Sequence, residues 1–195
     1  MDVLAHGLWA GTGLVVAQVA TGRPAVIDRR TLIATLVLAT APDGVHMLPL
    51  LAWVLAGGGT LAALLDYAVA LPGQEPTLPA WVAMLAHHLH CTLHSAVVAS
   101  AVTLACWLRT RAFWLPLWGW WSHIVIDVFS HSADYFASPV LYPITQQGFD
   151  GLAWNTPLFM ALNYGALAGV WLALSWWRCR GGVARAGRRH PDRQA

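Results

Sequence analysis

Two stretches of the chain combine apolar residues with histidine and aspartate at helical spacing. In SHIVIDVFSH, His123, Asp127 and His131 are each four residues apart. In AHHLHCTLHS, four of the ten residues are histidines, namely His87, His88, His90 and His94. Because an α-helix turns by about 100° per residue, residues 87, 90 and 94 share one face, and His88 points elsewhere. Asp43 and His46, three apart near a predicted helix break, form a third set.

Three kinds of chemistry could place these groups inside apolar helices. They could form hydrogen bonds that hold helices together. Paired histidines could bind haem or carry protons. Histidine and aspartate could also hold a metal ion, and zinc suits neutral imidazole and carboxylate. We favour the metal site, because spacing of i, i+4 lets two side chains reach one ion. Asp127 could then ligate directly or orient His123 through its second nitrogen.

The composition is that of an integral membrane protein. Its 195 residues fit one domain. Hydrophobic residues make up 57% and charged residues only 10%, against about 25% charged in soluble proteins. The 11 basic residues are all arginine and are segregated, so the net charge of +2 gives no reason to expect nucleic acid. We also predict reduced thiols at Cys91, Cys106 and Cys179, and no cleaved signal peptide, since no basic region opens the chain.

The hydropathy pattern predicts an all-α membrane bundle of about five to six helices, with interrupted helices around a polar site. The second predicted segment is interrupted by Pro42-Asp43-Gly44 and again by Pro49, and the third is too short to span and could be re-entrant or interfacial. We predict one transmembrane domain over 1–178 and a basic, disordered cytoplasmic tail over 179–195. The six segments are about 4–21, 31–56, 60–71, 79–108, 112–131 and 157–177.

The arginines and several acidic residues fall on opposite sides of these segments. If successive spans alternate in direction, and the third does not cross, the arginine clusters share one side, and Glu75, Asp134 and Asp150 lie on the other. Positive residues favour the cytoplasm, so we place the C-terminus inside and the N-terminus outside a bacterial-type inner (plasma) membrane. Membrane lipids are then partners, and the oligomeric state stays open. The arginines stand at 23, 29 and 30, at 109 and 111, and from 178 onward.

The polar residues of three helices reach a similar depth. Counted at 1.5 Å per residue from the nearest arginine, Asp43, His94 and His123 lie about 20, 22 and 18 Å along their helices. A charge at the centre of a membrane helix costs at least about 2.5 kcal/mol, and such residues usually face the bundle interior or a wet cavity. This shared depth predicts one site in the outer half of the membrane.

Five stretches of the chain, taken in order, resemble the YdjM-like membrane-bound metal-dependent hydrolases. There is a more distant likeness to zinc-dependent phospholipase C and P1-type nucleases. Five short motifs in one order are fairly specific, and together they cover about residues 6–154. The stretches are HGLWAGTG, APDGVHMLP, TLHSAVVA, GWWSHIVIDVFSHSADYF and SPVLYPITQQGFDGLAW.

The resemblance implies a hydrolase with one or more Zn²⁺ ions, in which Asp127 or Asp43 takes a proton from the attacking water. The depth of the site indicates a lipid or lipid-linked phosphoester as substrate. The alternative is a non-enzymatic membrane protein that uses its histidines for haem binding, proton or metal passage, or structural hydrogen bonds. His131 joins the candidates ahead of His90, whereas His87, His88 and Cys91 are expected to be structural. The predicted metal residues are His6, Asp43, His46, His94, His123, Asp127 and His131.

Overall fold

A computed structural model describes residues 1–21 and 27–187. This part of the chain is helical, with one isolated bridge between Ser132 and Tyr135, and it confirms the all-α class. The helices are α1 (Val3–Thr21), α2 (Arg29–Val45), α3 (Leu48–Leu55), α4 (Leu61–Val69), α5 (Ala80–Leu93), α6 (Ala96–Thr110), α7 (Leu117–Ser130) and α8 (Pro157–Gly187).

Two described helices are long and apolar enough to cross a membrane. They are α1 and the Pro157–Cys179 part of α8. Two bent pairs could each form a further, broken span, because α2 meets α3 at 61° and α5 meets α6 at 60°. Helix α4 has nine residues, or about 14 Å, which is less than half of the hydrocarbon thickness. Its length agrees with the predicted short third segment.

Side chains at three N-caps explain where helices begin. Asp28 accepts a hydrogen bond from the backbone N–H of Thr31 at 2.8 Å and starts α2. The backbone and side-chain hydrogen bonds from Thr31 also hold the pKa of the Asp28 carboxyl below its ordinary value. Thr60 caps α4 and Ser95 caps α6 in the same way. Each oxygen satisfies a backbone N–H that has no partner within its helix.

The predicted interruption at Pro42-Asp43-Gly44 is wrong. Helix α2 continues through Pro42 to Val45, and the chain bends only after it. The ring of Pro42 is buried, so packing offsets the one helical hydrogen bond that proline removes. Pro49 does mark the break, because it lies in the first turn of α3, where its missing N–H would have had no helical partner.

The predicted segment over 79–108 is two helices in the structure, with a break at His94 and Ser95. The hydroxyl of Ser95 accepts from the N–H of Val98 at 3.1 Å, and the N–H of Ala96 donates to the carbonyl of Val140 at 2.8 Å. The loop carbonyl therefore replaces the helical acceptor at this turn. His94 follows the last residue of α5, so it lies at a helix end rather than within a continuous helix.

The predicted helix over 112–131 begins five residues late and ends one residue early. Arg111 adopts a left-handed conformation with φ of 55°, which ends α6, and Pro116 directly precedes α7 at Leu117. His131 is extended, with φ of −117° and ψ of 144°. Asp134 therefore does not continue the helical face of α7, and it is exposed to solvent.

Helix α7 lies against α1, α2 and α6, and it packs most extensively on α2. A Cβ at Gly119 would meet the backbone carbonyl oxygen of Thr35 and the backbone nitrogen of Ala39. Helix α8 packs on α1 through polar pairs: Trp9 Nε1 donates to Asn163 Oδ1 at 2.8 Å, and Trp171 Nε1 donates to a threonine of α1. The contacts of α7 with α1, α2 and α6 place α7 at the centre of the fold.

The C-terminal helix is longer than the predicted sixth segment, which ends at about residue 177. Helix α8 continues to Gly187, past the predicted start of the tail at residue 179. Arg23 and residues 188–195, including His190, lie outside the described residues, and the disorder of the tail stays a prediction. The predicted free thiols are confirmed at Cys91, Cys106 and Cys179.

We expect Gly119→Ala to lower the melting temperature of the purified protein in detergent. The added methyl group must push α2 and α7 apart, and overpacking of this kind costs on the order of 1–3 kcal/mol. Gly165→Ala is the matched control, because its added Cβ meets nothing within 4 Å and alanine favours a helix. Equal melting temperatures for the two variants would contradict the close contact.

Candidate metal centre

Three elements bring four donor side chains to one point. Asp43 comes from the last turn of α2, His94 from the end of α5, and His123 and Asp127 from one face of α7. Each offers one ligand atom, and these atoms all lie within 4.8 Å of one another. We call these four residues the metal group, since they could hold a metal ion. The predicted convergence of three helices is confirmed.

The carboxylate of Asp127 lies at the centre of the metal group. Its Oδ2 is 3.1 Å from His123 Nε2 and 3.3 Å from His94 Nε2. The Oδ1 of Asp43 approaches the same two nitrogens at 3.7 and 3.5 Å. Three of the four side chains are almost fully buried, and Asp43 is 18% exposed. Asp43 is therefore the member of the group that is open to its surroundings.

Backbone carbonyls fix the orientation of both imidazoles in the metal group. His94 Nδ1 lies 2.8 Å from the carbonyl of His90, and His123 Nδ1 lies 2.8 Å from the carbonyl of Ala39. A carbonyl can only accept, so each Nδ1 donates its hydrogen, and each neutral ring keeps its lone pair on Nε2. These two Nε2 atoms face each other at 3.0 Å.

The metal group fits a cation because its inward atoms are acceptors. Two imidazole lone pairs and the carboxylate oxygens repel one another unless positive charge lies among them. The Oδ2 atoms of Asp43 and Asp127 are buried without a hydrogen-bond partner in the described structure. The amino group of Met1 lies 2.7 Å from Asp127 Oδ1, so a positive group already contacts this carboxylate. Nitrogen and oxygen donors of this kind suit zinc.

Outside the metal group, His6 is the histidine that lies nearest to the Asp127 carboxylate. Its Nε2 lies 3.0 Å from Asp127 Oδ1 and 4.0 Å from Asp43 Oδ2. The ring is fully buried and stacks on His123, with centroids 3.8 Å apart. Within the described residues, neither ring nitrogen has a partner with hydrogen-bond geometry. His6 thus contacts the group from α1.

The other predicted metal residues surround the metal group without joining it. His131 Nδ1 lies 3.5 Å from Asp127 Oδ1 and 3.1 Å from the Asp127 carbonyl. The His46 ring lies farther out, 5.3 Å from the ring of His90 and 6.5 Å from that of His94. His90 in turn packs against His94, with centroids 4.1 Å apart. All seven predicted metal residues therefore lie in one region of the structure.

The remaining histidines of the 86–95 stretch divide as the helical angles predicted. His88 faces away from the metal group, with Nδ1 3.2 Å from the hydroxyl of Tyr142. His87 shares the cavity wall with His90 and His94, and its Nε2 lies 3.5 Å from the sulfur of Cys91. His88 therefore offers a control site on the same helix as the metal group.

A cavity of about 460 Å³ opens beside the metal group. Asp43 and His94 reach it from the group, and the end of α4 and the loop after it supply part of the opposite wall. This wall was not predicted, because α4 reaches the cavity through tertiary contacts and carries no local sequence motif for them. The lining residues that were not predicted include Asp2, Tyr67, Glu75, Tyr135, Phe136 and Trp154.

The chain matches no protein-family model, no curated protein and no solved structure. The resemblance to metal-dependent hydrolases therefore stays a prediction that rests on the five motifs.

We expect His94→Ala to retain at least about tenfold less divalent metal than the unaltered protein after dialysis, measured by mass spectrometry of the purified protein. The variant removes one inward nitrogen, and the loss of even indirect support for a ligand costs about 10–100-fold in affinity. His88→Ala is the matched control and should retain metal normally. Equal metal content in the two variants would contradict the assignment.

Proposed function

We propose that the protein is an integral membrane hydrolase that uses zinc to cleave a phosphoester of a lipid or lipid-linked substrate. The observation that carries the proposal is the metal group, a buried set of acceptors from three elements beside a cavity. The apolar length of α1 and α8 supports a membrane location, and the five-motif resemblance supports hydrolysis.

In this proposal, His94, His123 and Asp127 hold the zinc ion. Catalytic zinc sites commonly have three protein ligands and one open position. Zinc bound there would make water more acidic and draw charge from a phosphoryl oxygen. Asp127 suits the role of ligand because its Oδ2 already faces both imidazole nitrogens. His6 and the amino group of Met1 contact the other oxygen and keep the carboxylate in place.

Asp43 is proposed as the group that accepts a proton from the attacking water. It is the most exposed member of the metal group, and it lines the cavity. Its Oδ1 lies 3.5 Å from His94 Nε2, so a water beside the zinc position is within reach of the carboxylate. Its Oδ2 has no hydrogen-bond partner in the described structure and is free to take the proton.

The cavity supports a substrate that has a polar and an apolar part. Near the metal group its wall consists of histidines and Asp43, whereas Val3, Met47, Tyr67 and Phe136 supply apolar surface elsewhere. A phosphoester placed at the group would leave its apolar chain along these side chains. Sites that combine apolar surface with convergent polar groups are typical of pockets that orient a substrate in this manner.

The geometry favours a metal ion over haem between the two central histidines. Axial ligands of a haem lie on opposite faces of a porphyrin, which must fit between them. His94 Nε2 and His123 Nε2 are only 3.0 Å apart and face the same two carboxylates. A Soret band in the purified protein would restore the haem alternative.

We expect an outside location for residue 145 and a cytoplasmic location for the C-terminus. The arginine distribution motivates this orientation, since positive residues favour the cytoplasmic side of a membrane. The measurement uses reporter fusions after residue 145 and at the C-terminus, with a reporter active in the cytoplasm and one active outside it. A cytoplasmic signal from the fusion at 145 would contradict the orientation.

We expect Asp43→Asn to lower turnover of a lipid phosphoester by about 10²–10⁴-fold while zinc is retained, because the amide cannot accept the proton. Asp127→Asn should lower both turnover and zinc content, since it removes ligand charge. The assay offers lipid and water-soluble phosphoesters, with zinc added or chelated, and His88→Ala is the control. Full activity of Asp43→Asn would refute its proton-accepting role.

A further inference from the structure

Helix α4 and the loop after it form one wall of the cavity and have few interior contacts. Tyr67, Ala68 and Ala70 at the end of the helix line the cavity, and so does Glu75 of the loop. None of the nine residues of α4 is buried. Among the described helices, only α3 packs extensively on α4. Segments with few buried apolar contacts are the ones that open at low free-energy cost, so this wall is weakly held.

Two sides of α4 have different surroundings. Leu64 and Tyr67 are half-buried, and both pack on a buried apolar cluster formed by α3 and α5. Another side of the helix exposes three apolar side chains at i, i+4 spacing, and each is 58–77% exposed: Leu61, Leu65 and Val69. An exposed apolar side on a helix too short to span is typical of helices that lie in the membrane interface. Helix α4 therefore separates the cavity from a surface suited to lipid.

Glycines with positive φ stand on both sides of α4. Gly57 and Gly73 each have φ of 79°, and a Cβ at either position would meet nothing within 4 Å. Gly57 ends α3 in the left-handed conformation that is common after a helix. Gly73 follows Pro72 in a turn that the N–H of Gln74 closes onto the carbonyl of Leu71 at 2.9 Å. Glycine in open space can change its backbone angles without steric cost, as hinge residues must.

We propose that α4 is a lid over the cavity, and that a lipid substrate enters from the bilayer by displacing it. This inference rests on the proposed function, because it assigns a route of entry to the substrate of that site. Rotation at Gly57 and Gly73 separates Leu64 and Tyr67 from α3 and α5, and it joins the cavity to the lipid outside α4. Lipid then covers the apolar side chains that the motion uncovers, so opening exposes little apolar surface to water. A water-soluble phosphoester that enters from the aqueous side does not need this motion.

The test holds the lid shut with a reversible cross-link. Leu64→Cys places a thiol on the lid and Leu78→Cys places one just before α5, and both positions pack on the same buried cluster. A short bifunctional methanethiosulfonate joins the two thiols, and a reductant releases them. The background replaces the three native cysteines with alanine. The matched control joins Met84→Cys to His88→Cys, which lie four residues apart within α5 and leave α4 free.

Entry is measured with a phospholipid that carries a diazirine in its acyl chain, in nanodiscs of phosphatidylethanolamine and phosphatidylglycerol. After illumination, mass spectrometry maps the labelled residues. We expect the lid cross-link to lower labelling of the cavity residues Tyr135, Phe136 and Trp154 at least about tenfold, because the open population is removed. The reductant should restore the labelling, and the control cross-link should leave it unchanged. Labelling that the lid cross-link does not alter, or a cavity that is never labelled, would overturn the lid.

Labelling separates this inference from the proposed hydrolysis, because it requires no turnover. Labelling that is lost on cross-linking, in a protein that cleaves no phosphoester, would support the lid and contradict the hydrolase. If both proposals hold, the lid cross-link lowers cleavage of a lipid phosphoester at least about tenfold and that of a water-soluble phosphoester less than about twofold. Lipid cleavage at the same rate with the lid cross-linked would overturn the lid and leave the hydrolase intact.

Discussion

The structure depends on two imidazole nitrogens that face each other across 3.0 Å inside a set of carboxylate oxygens. The carbonyl of Ala39 and that of His90 hold the rings in this orientation by accepting their Nδ1 hydrogens. The orientation of the His123 ring thus depends on the distance between α7 and α2. The orientation of the His94 ring depends on the last turn of α5. Positive charge at its centre would stabilise such an arrangement, and a divalent cation bound there would supply that charge. The geometry of the metal group therefore depends on how α2, α5 and α7 pack together.

The helix breaks make this arrangement possible. If α5 continued past Leu93, His94 would lie within a straight helix. The N–H of Ala96 would then donate to a carbonyl of α5 and not to that of Val140. At the break, the Ser95 hydroxyl instead accepts from the N–H of Val98 and donates to the carbonyl of Tyr142, and the carbonyl of Val140 accepts from the N–H of Ala96. These backbone groups therefore stay paired at the bend. Irregular backbone within apolar surroundings is tolerated where protein groups satisfy it in this way. On the other side, Gly119 allows α7 to approach the backbone of α2, which carries the carbonyl of Ala39.

Much of the metal group could be predicted from local spacing, because i, i+4 neighbours on a helix share a face. That argument placed His123 with Asp127 and separated His88 from His94. The break at Ser95 could not be predicted in the same way, since its decisive partner, the loop near Val140, is more than forty residues distant in sequence. The cavity wall from α4 and the aromatic rings after α7 was missed for the same reason. Pro42 was predicted to break a helix, and burial within the bundle overrode that local preference.

X-ray absorption spectroscopy at the zinc edge of the purified, zinc-loaded protein tests whether the metal group binds zinc. We expect about one tightly held zinc per chain, surrounded by nitrogen and oxygen at about 2.0–2.2 Å with the outer-shell signature of imidazole. The signature should weaken when His123 is replaced by alanine. Sulfur neighbours at about 2.3 Å, or a protein that fails to retain zinc while fully folded, would contradict the assignment of Asp43, His94, His123 and Asp127 as a metal centre.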